Sequence, residues 1–407
     1  MKKQLVVIGG GAAGFFCAVN AARLNPALKV TIIEKSGKLL SKVKVSGGGR
    51  CNVTHACFEI SEMIKKYPRG ANFLKKAFHQ FFTTDTIHWF EERGVKLKAE
   101  SDGRMFPVTD SSQTIIDCLI REANKYNVAV VLHTEVKSIK NSGDKFILEM
   151  PGSRQEDADF VCIACGGFPK LPQFDWIKNL GHTICNPVPS LFTFNMPGNK
   201  ITELMGVSVP EVKIKIAGTK SEVNGPLLIT HWGMSGPAVL KLSAWGANQL
   251  AIQNYQFSIS INWIPAFNET TLRAYFGLLR KQLSAQKIIN KNPFQLPQRL
   301  WEYFLNQSHI SHEVRWADLS TKSQNLLIDF LCNGSFMVKG KTTFKEEFVT
   351  AGGVALTEID VNTMQSKKIP HLYFAGEILD VDGITGGFNF QNAWTTGWIA
   401  ANAIASA

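Results

Sequence analysis

The chain has 407 residues, 45% hydrophobic and 19% charged, enough apolar side chain for a sizeable core and enough length for more than one domain. This composition excludes a disordered protein, and eight scattered cysteines fit a reducing compartment rather than a disulfide framework. The net charge of +11 is uneven: residues 1–76 carry 14 Lys and Arg against 3 Glu, so the remainder is neutral.

The N-terminus imitates a secretory leader, with Met1-Lys2-Lys3 before an uncharged stretch from Gln4 to Ala22, but Gly9, Gly10, Gly11 and Gly14 would weaken the continuous helix a leader needs. No other stretch is long and apolar enough to span a bilayer, and a cytoplasmic protein is expected. "QLVVIG" reads as a buried strand, Ala12 to Leu24 as a helix and "KVTIIE" as a second strand, a βαβ unit. Gly9-x-Gly11-x-x-Gly14 supplies a tight turn, close backbone approach to a pyrophosphate and helix packing; Glu34, twenty positions after Gly14, should accept from ribose hydroxyls. The motif predicts a dinucleotide and leaves NAD and FAD undecided. Lys35, Lys38, Lys42 and Lys44 flank the glycines, which favours a positive field around a bound anion over a nucleic-acid or membrane surface.

A second glycine run, "KVSGGGRCNVTH", follows at 44–55. Downstream, the pattern predicts an amphipathic helix from about Ser112 to Lys125 and a strand pair ending near Val136, and "ADFVCIACGG" another buried strand. Cys162 and Cys165 have redox-motif spacing, but in a strand they face opposite sides; no Cys/His grouping has zinc-site spacing. From Pro187 and Pro189 the character changes. Residues 190–264 alternate as antiparallel β structure, 269–333 turn helical, and "HLYFAGEILDVDGITGGFNFQNAWTTGWIAANAIA" returns to strand, glycine loop and helix. The expected fold is α/β: a Rossmann-like domain, 1–188 and 347–407, interrupted by a β-rich insert, 189–264 and 334–346, that carries a helical cap, 265–333.

Three blocks, "SGGGRCNVT", "THWGMSGPAVLKLS" and "VTAGGVALTEIDVNTMQSK…LYFAGEILDVDGITGGFNFQNAWTTG", resemble the BaiN-type (YhiN-like) flavoprotein family, related to the glutathione-reductase-like FAD fold, over nearly the whole chain. The resemblance implies non-covalent FAD. Gly9, Gly11, Ala12, Ala13 and Gly14 would line the pyrophosphate, Glu34 and Lys35 the ADP ribose, and Val136 the adenine. Gly49, Arg50, Cys51 and Asn52 would approach the flavin, and Ala164 and Gly166 would also contact the cofactor. Gly376, Glu377, Asp380, Gly387, Phe388 and Asn389 would complete the site. FAD outreaches one turn, so the second glycine run serves as a second backbone-lined surface.

Two departures stand out: the family's alanine-threonine-glycine-glycine run and the long loop after it become "ACGGFPKLPQFDWIKNLGH", and the asparagine after the threonine of the second glycine block is His55. Both bear on the substrate. Arg50 is either a cation near phosphate or the reduced ring, or a structural arginine on a carboxylate; Cys51 reads as a buried filler rather than a redox thiol. Asp380 and Asp382 resemble a metal pair but are better explained by hydrogen bonds to ribityl hydroxyls, and no metal is expected. His231, before the Gly- and Pro-marked start of a helix, is a candidate acid/base, with a structural role the preferred reading.

These readings converge on an FAD-dependent oxidoreductase moving hydride between flavin N5 and a small amine or enone held between flavin and insert. The alternative is an RNA-binding or RNA-modifying flavoprotein using the basic N-terminal region. "CGGFPKLP", "GMSGPAV" and "TAGGVAL" are not second nucleotide motifs, so NAD(P)H could act only as a transient donor. A monomer is favoured, without membrane partners and with a small molecule rather than nucleic acid as partner.

Overall fold

In the computed structural model, which describes residues 2–143, 145–343 and 349–407, the apolar N-terminal run is strand β1 (Gln4–Ile8). Helix α1 (Ala12–Leu24) and strand β2 (Lys29–Ile33) follow. Four of five residues in each strand are buried, as in a parallel sheet covered on both faces. The sheet has the order Leu372–Phe374, Phe160–Ile163, β1, β2, Ala129–Val131, and every pairing is parallel. Its edge strand Leu372–Phe374 comes from the far end of the chain and feeds the helix Phe388–Ser406. That helix lies against α1 so closely that a Cβ on Gly397 would sit 2.8 Å from the Ala13 carbonyl oxygen. The amphipathic segment Ser112–Lys125 is helical, as its pattern predicts.

The described residues divide into two units by contact: those up to Ser190 together with those from Val349 onward, and Leu191–Thr343. The second unit is built on a seven-stranded antiparallel sheet. Its last strand, Gly334–Lys339, pairs with Gln256–Asn262. After a bend at Gly340, whose φ is +102°, Lys341–Thr342 pairs with Thr193–Asn195 at the opposite edge. One bent segment therefore pairs with both ends of the sheet and closes it into a barrel. A helix over Pro237–Ile252 packs on it, longer than the β-rich reading of that stretch anticipates. Helices Glu269–Gln282, Gln298–Gln307 and Thr321–Asn333 contribute Phe276, Trp301 and Leu331 to the same core as Ile214, Ile259 and Phe336 of the strands.

The neutral balance beyond residue 76 holds only as a sum. Leu191–Thr343 carries fifteen Lys and Arg against eight Asp and Glu, so this unit is itself basic and the other stretches past residue 76 are acidic.

Candidate functional site

The chemistry-bearing glycines meet where β1, β2 and Phe160–Ile163 end, the crevice at which open parallel sheets bind ligands. Gly9 (φ +116°) turns the chain out of β1; a Cβ there would lie 2.5 Å from the Ala164 carbonyl oxygen, and one on Gly14 only 2.0 Å from the Gly9 carbonyl oxygen. These two glycines are steric necessities of the turn. Gly11 is different: it caps α1, has φ −93°, and its Cβ would meet nothing within 4 Å. No side chain caps the helix and no acid occupies its first turn, so amide donors and the positive dipole end are presented to an anion.

Glu34 sits one residue past β2. Its Oε2 accepts from Gly10 N at 2.8 Å and its Oε1 from Ser36 N and Oγ, both at 2.8 Å. The carboxylate thus shapes the glycine turn, with one of about four acceptor positions left over. Lys35 is exposed, its ammonium 5.4 Å from the centre of the Phe168 ring, and Val136 is buried.

In the second glycine run the helical turn starting at Ser41 ends at Ser46, and Gly47, Gly48 and Gly49 follow with φ of +60°, +69° and +86°. Three successive left-handed residues are a conformation glycine alone adopts readily. Cβ atoms on Gly48, Gly49 and Gly166 would enter open space, whereas one on Gly47 would strike Phe106. Cys51 continues the left-handed path (φ +62°) and is fully buried; burial pushes its thiol up to about 12, so it stays protonated, as a filler would. Asn52 is buried and, with its amide oriented to satisfy both ends, donates to Thr54 O and accepts from Gly387 N. It ties this loop to the cap of the C-terminal helix.

Arg50 takes the structural option: its Nη1 lies 2.6 Å from Glu100 and 3.6 Å from Asp110, and its guanidinium is 4.0 Å from the centre of the Phe106 ring. From the other side, Gly376 N donates to Thr396 Oγ1, and Glu377 accepts from Thr350 N at 2.9 Å while Lys42 Nζ reaches its second oxygen at 2.5 Å. Asn389 exchanges two hydrogen bonds with Gly383, and Phe388 stacks on His55, whose Nδ1 is 3.0 Å from Gly386 O. Ala164 N bonds Ile8 O, and Asp380 N bonds Val354 O. Asp382, expected at ribityl hydroxyls, has other partners: it is fully buried, forms a bidentate ion pair with Arg69 and accepts from Ser190 Oγ at 2.7 Å. Among the described residues no group of three potential ligands could hold a metal. The strand Phe160–Ile163 ends before Cys165, so the two cysteines do not share it as expected, and both are free thiols. His231 lies in the second unit, exposed in the turn between strands Glu222–Thr230 and Gly233–Ser235 with Trp232 at its edge.

Sequence reasoning missed Lys42 as an ion-pair partner and Thr350 altogether. The Thr350 hydroxyl is buried, has no hydrogen-bond partner among the described residues, and lies where a Cβ on Gly167 would strike it.

The model of the HI0933-like protein Rossmann domain family matches residues 3–403. The chain belongs to this family. Ribosomal RNA dihydrouridine synthase of Escherichia coli (strain K12) is 32% identical over 99% of this chain and 98% of that protein. The 3-dehydro-bile acid delta(4,6)-reductase of Clostridium scindens is 27% identical over 99% of both. Among solved structures, the 3-ketosteroid-delta4-(5alpha)-dehydrogenase of Rhodococcus jostii RHA1 matches with a TM-score of 0.51 at 12% identity, over 98% of this chain and 97% of that one; this likeness is one of fold. As a member of the HI0933-like family the chain is an FAD-binding oxidoreductase with a Rossmann-like domain. The residues present fit FAD: open glycine edges at Gly11, Gly48, Gly49 and Gly166, and an uncapped helix terminus. No helix among the described residues is long and apolar enough to cross a membrane.

Proposed function

We propose that this protein reduces a carbon–carbon double bond conjugated to a carbonyl. One observation carries the reading: two relatives that align end to end are named for different substrates but a shared transformation. Saturating the uracil ring and reducing a 4,6-unsaturated 3-keto steroid acid both place a hydride on an electrophilic carbon conjugated to a carbonyl, at its β position or the vinylogous δ position, and a proton on the carbon next to it. Bound FAD would supply the hydride chemistry, with NAD(P)H as a transient donor of the electrons. The chain's own part is to bind and orient. The amides at the start of α1 would face the diphosphate charge, Glu34 would offer its remaining acceptor position to the ribose, and Glu377, held by Lys42 and by Thr350 N, would offer a polar contact further along. The left-handed run Gly47–Gly49 lets the backbone approach the ring.

A second reading puts the double bond in a uracil of RNA. The basic surplus in residues 1–76 and the identity with the synthase favour it. Anaerobic flavin absorbance tests both. Enzyme bleached by NAD(P)H should regain its colour on adding a conjugated ketone in the first case, and uracil-containing RNA in the second. Oxidised enzyme bleached by simple amines, with neither acceptor active, would overturn both.

A further inference from the structure

Residues 57–80 hold a basic and aromatic surface that neither the packing nor the cofactor site explains. Phe58 is 55% exposed, among the most exposed of the large apolar side chains. Two residues on, the short helix Ile60–Met63 runs directly into the turn Ile64–Lys66, so Phe58 and Lys66 belong to one local segment. Helix Ala71–Ala77 packs on the turn Ile64–Lys66 and adds Lys75 and Lys76, both exposed. Of the two acids in this stretch, Glu62 is paired with Lys65, and Lys66, Lys75 and Lys76 have no carboxylate within ion-pair distance among the described residues.

This surface is fastened to the loop that completes the cofactor site. Ile384 N donates to Lys66 O at 2.9 Å, Tyr67 Oη donates to Phe388 O at 2.6 Å, and Arg69 pairs with buried Asp382. Three successive anchors hold it against residues 382–388.

We propose that Phe58, Lys66, Lys75 and Lys76 form the docking surface for a single-stranded RNA segment, whose backbone follows the lysines while a base stacks on Phe58. Cations without carboxylate partners in the same packed segment as an exposed aromatic ring are a combination that holds single strands, phosphate by charge and base by stacking. Anchoring to residues 382–388 would deliver a neighbouring base to the flavin, so the inference rests on the RNA reading above.

The test is salt-dependent binding of a uracil-rich single-stranded RNA to FAD-loaded protein, comparing wild type with Lys75→Glu/Lys76→Glu, Phe58→Ala, and a charge-matched control, Lys215→Glu/Lys339→Glu, in the other unit. Flavin absorbance verifies that each variant is folded and loaded. The double reversal should weaken binding at least tenfold and flatten the slope of log affinity against log salt by roughly 1.4, about 0.7 per lost contact. Phe58→Ala should weaken it about tenfold with the slope unchanged, and the control should match wild type. Equal loss in the control, unchanged binding in the 75/76 variant, or wild type that binds phosphatidylserine vesicles but not RNA would overturn the proposal. Reduction of small conjugated ketones by wild type is scored separately, so the reaction can stand if the docking surface fails.

Discussion

Lys42 Nζ and Glu377 Oε2 meet at 2.5 Å across 335 positions of sequence, joining the first basic segment to the turn after the last strand. The lysine is 42% exposed and the glutamate 15%, so the ion pair itself contributes only about 0–1 kcal/mol. The bond from Thr350 N to the same carboxylate is more sheltered and is expected to contribute about 1.5–3 kcal/mol. Lys42→Met and Glu377→Gln should therefore weaken FAD by less than about fivefold, and Glu377→Ala, which loses both partners, by about tenfold or more. Fluorescence titration of apoprotein with FAD measures this; equal losses in all three would show that charge, not the Thr350 bond, dominates.

The glycines of the first turn should separate into two classes. Gly14→Ala forces a methyl 2.0 Å from the Gly9 carbonyl oxygen and should cost about 1–3 kcal/mol of stability or more. Gly11→Ala meets no protein atom and keeps an ordinary φ, so apoprotein melting should be unchanged while FAD affinity falls. A Gly11→Ala protein that binds FAD normally would move the diphosphate elsewhere.

Glu34→Arg replaces an acceptor of three hydrogen bonds with a donor. The variant should purify without yellow colour, read as the ratio of flavin to protein absorbance. Full occupancy would remove Glu34 from the site.

Acid should loosen the first unit through His182. Its Nδ1 lies 3.1 Å from Glu358 and its Nε2 3.0 Å from Ser366 Oγ, which also accepts from Lys368 N and Ile369 N. Burial holds the imidazole below its ordinary value despite Glu358. Burial alone would raise Glu358, but hydrogen bonds from Lys368, Thr183 and His182 take it down to about 2. Both groups bind protons more readily unfolded, so their stabilisation is present above the unfolded values and lost as pH falls. The histidine's share should go below about pH 6.5 and the glutamate's from about pH 4.3 downward. Thermal melts from pH 8 to 4 should show the first loss in wild type and not in His182→Gln; an identical profile in both would exclude the histidine.

The first βαβ unit, the helix Ser112–Lys125 and the strands around Cys162 were legible because local pattern and buried sheet agree there. The partners of Arg50 were not, because Glu100 and Asp110 come from a separate hairpin that no spacing links to the glycines. Asp382 sat in a motif suggestive of ligand contact, yet Arg69, in a segment without a motif, takes its carboxylate. Thr350 was invisible for a related reason: its amide reaches Glu377 only because the fold brings two separate turns together.

The origin of strand Leu372–Phe374 has a consequence during synthesis. Phe160–Ile163 emerges from the ribosome with one flank open, and its neighbour follows only after the whole of Leu191–Thr343 has been made. At ordinary elongation rates that delay is roughly 10–40 s. The intervening unit is one uninterrupted stretch whose barrel can close as soon as Lys341–Thr342 appears, so it completes first. The nascent cofactor half must wait, holding an unpaired strand edge in reach of other chains, and demand for chaperones should be greatest in that interval.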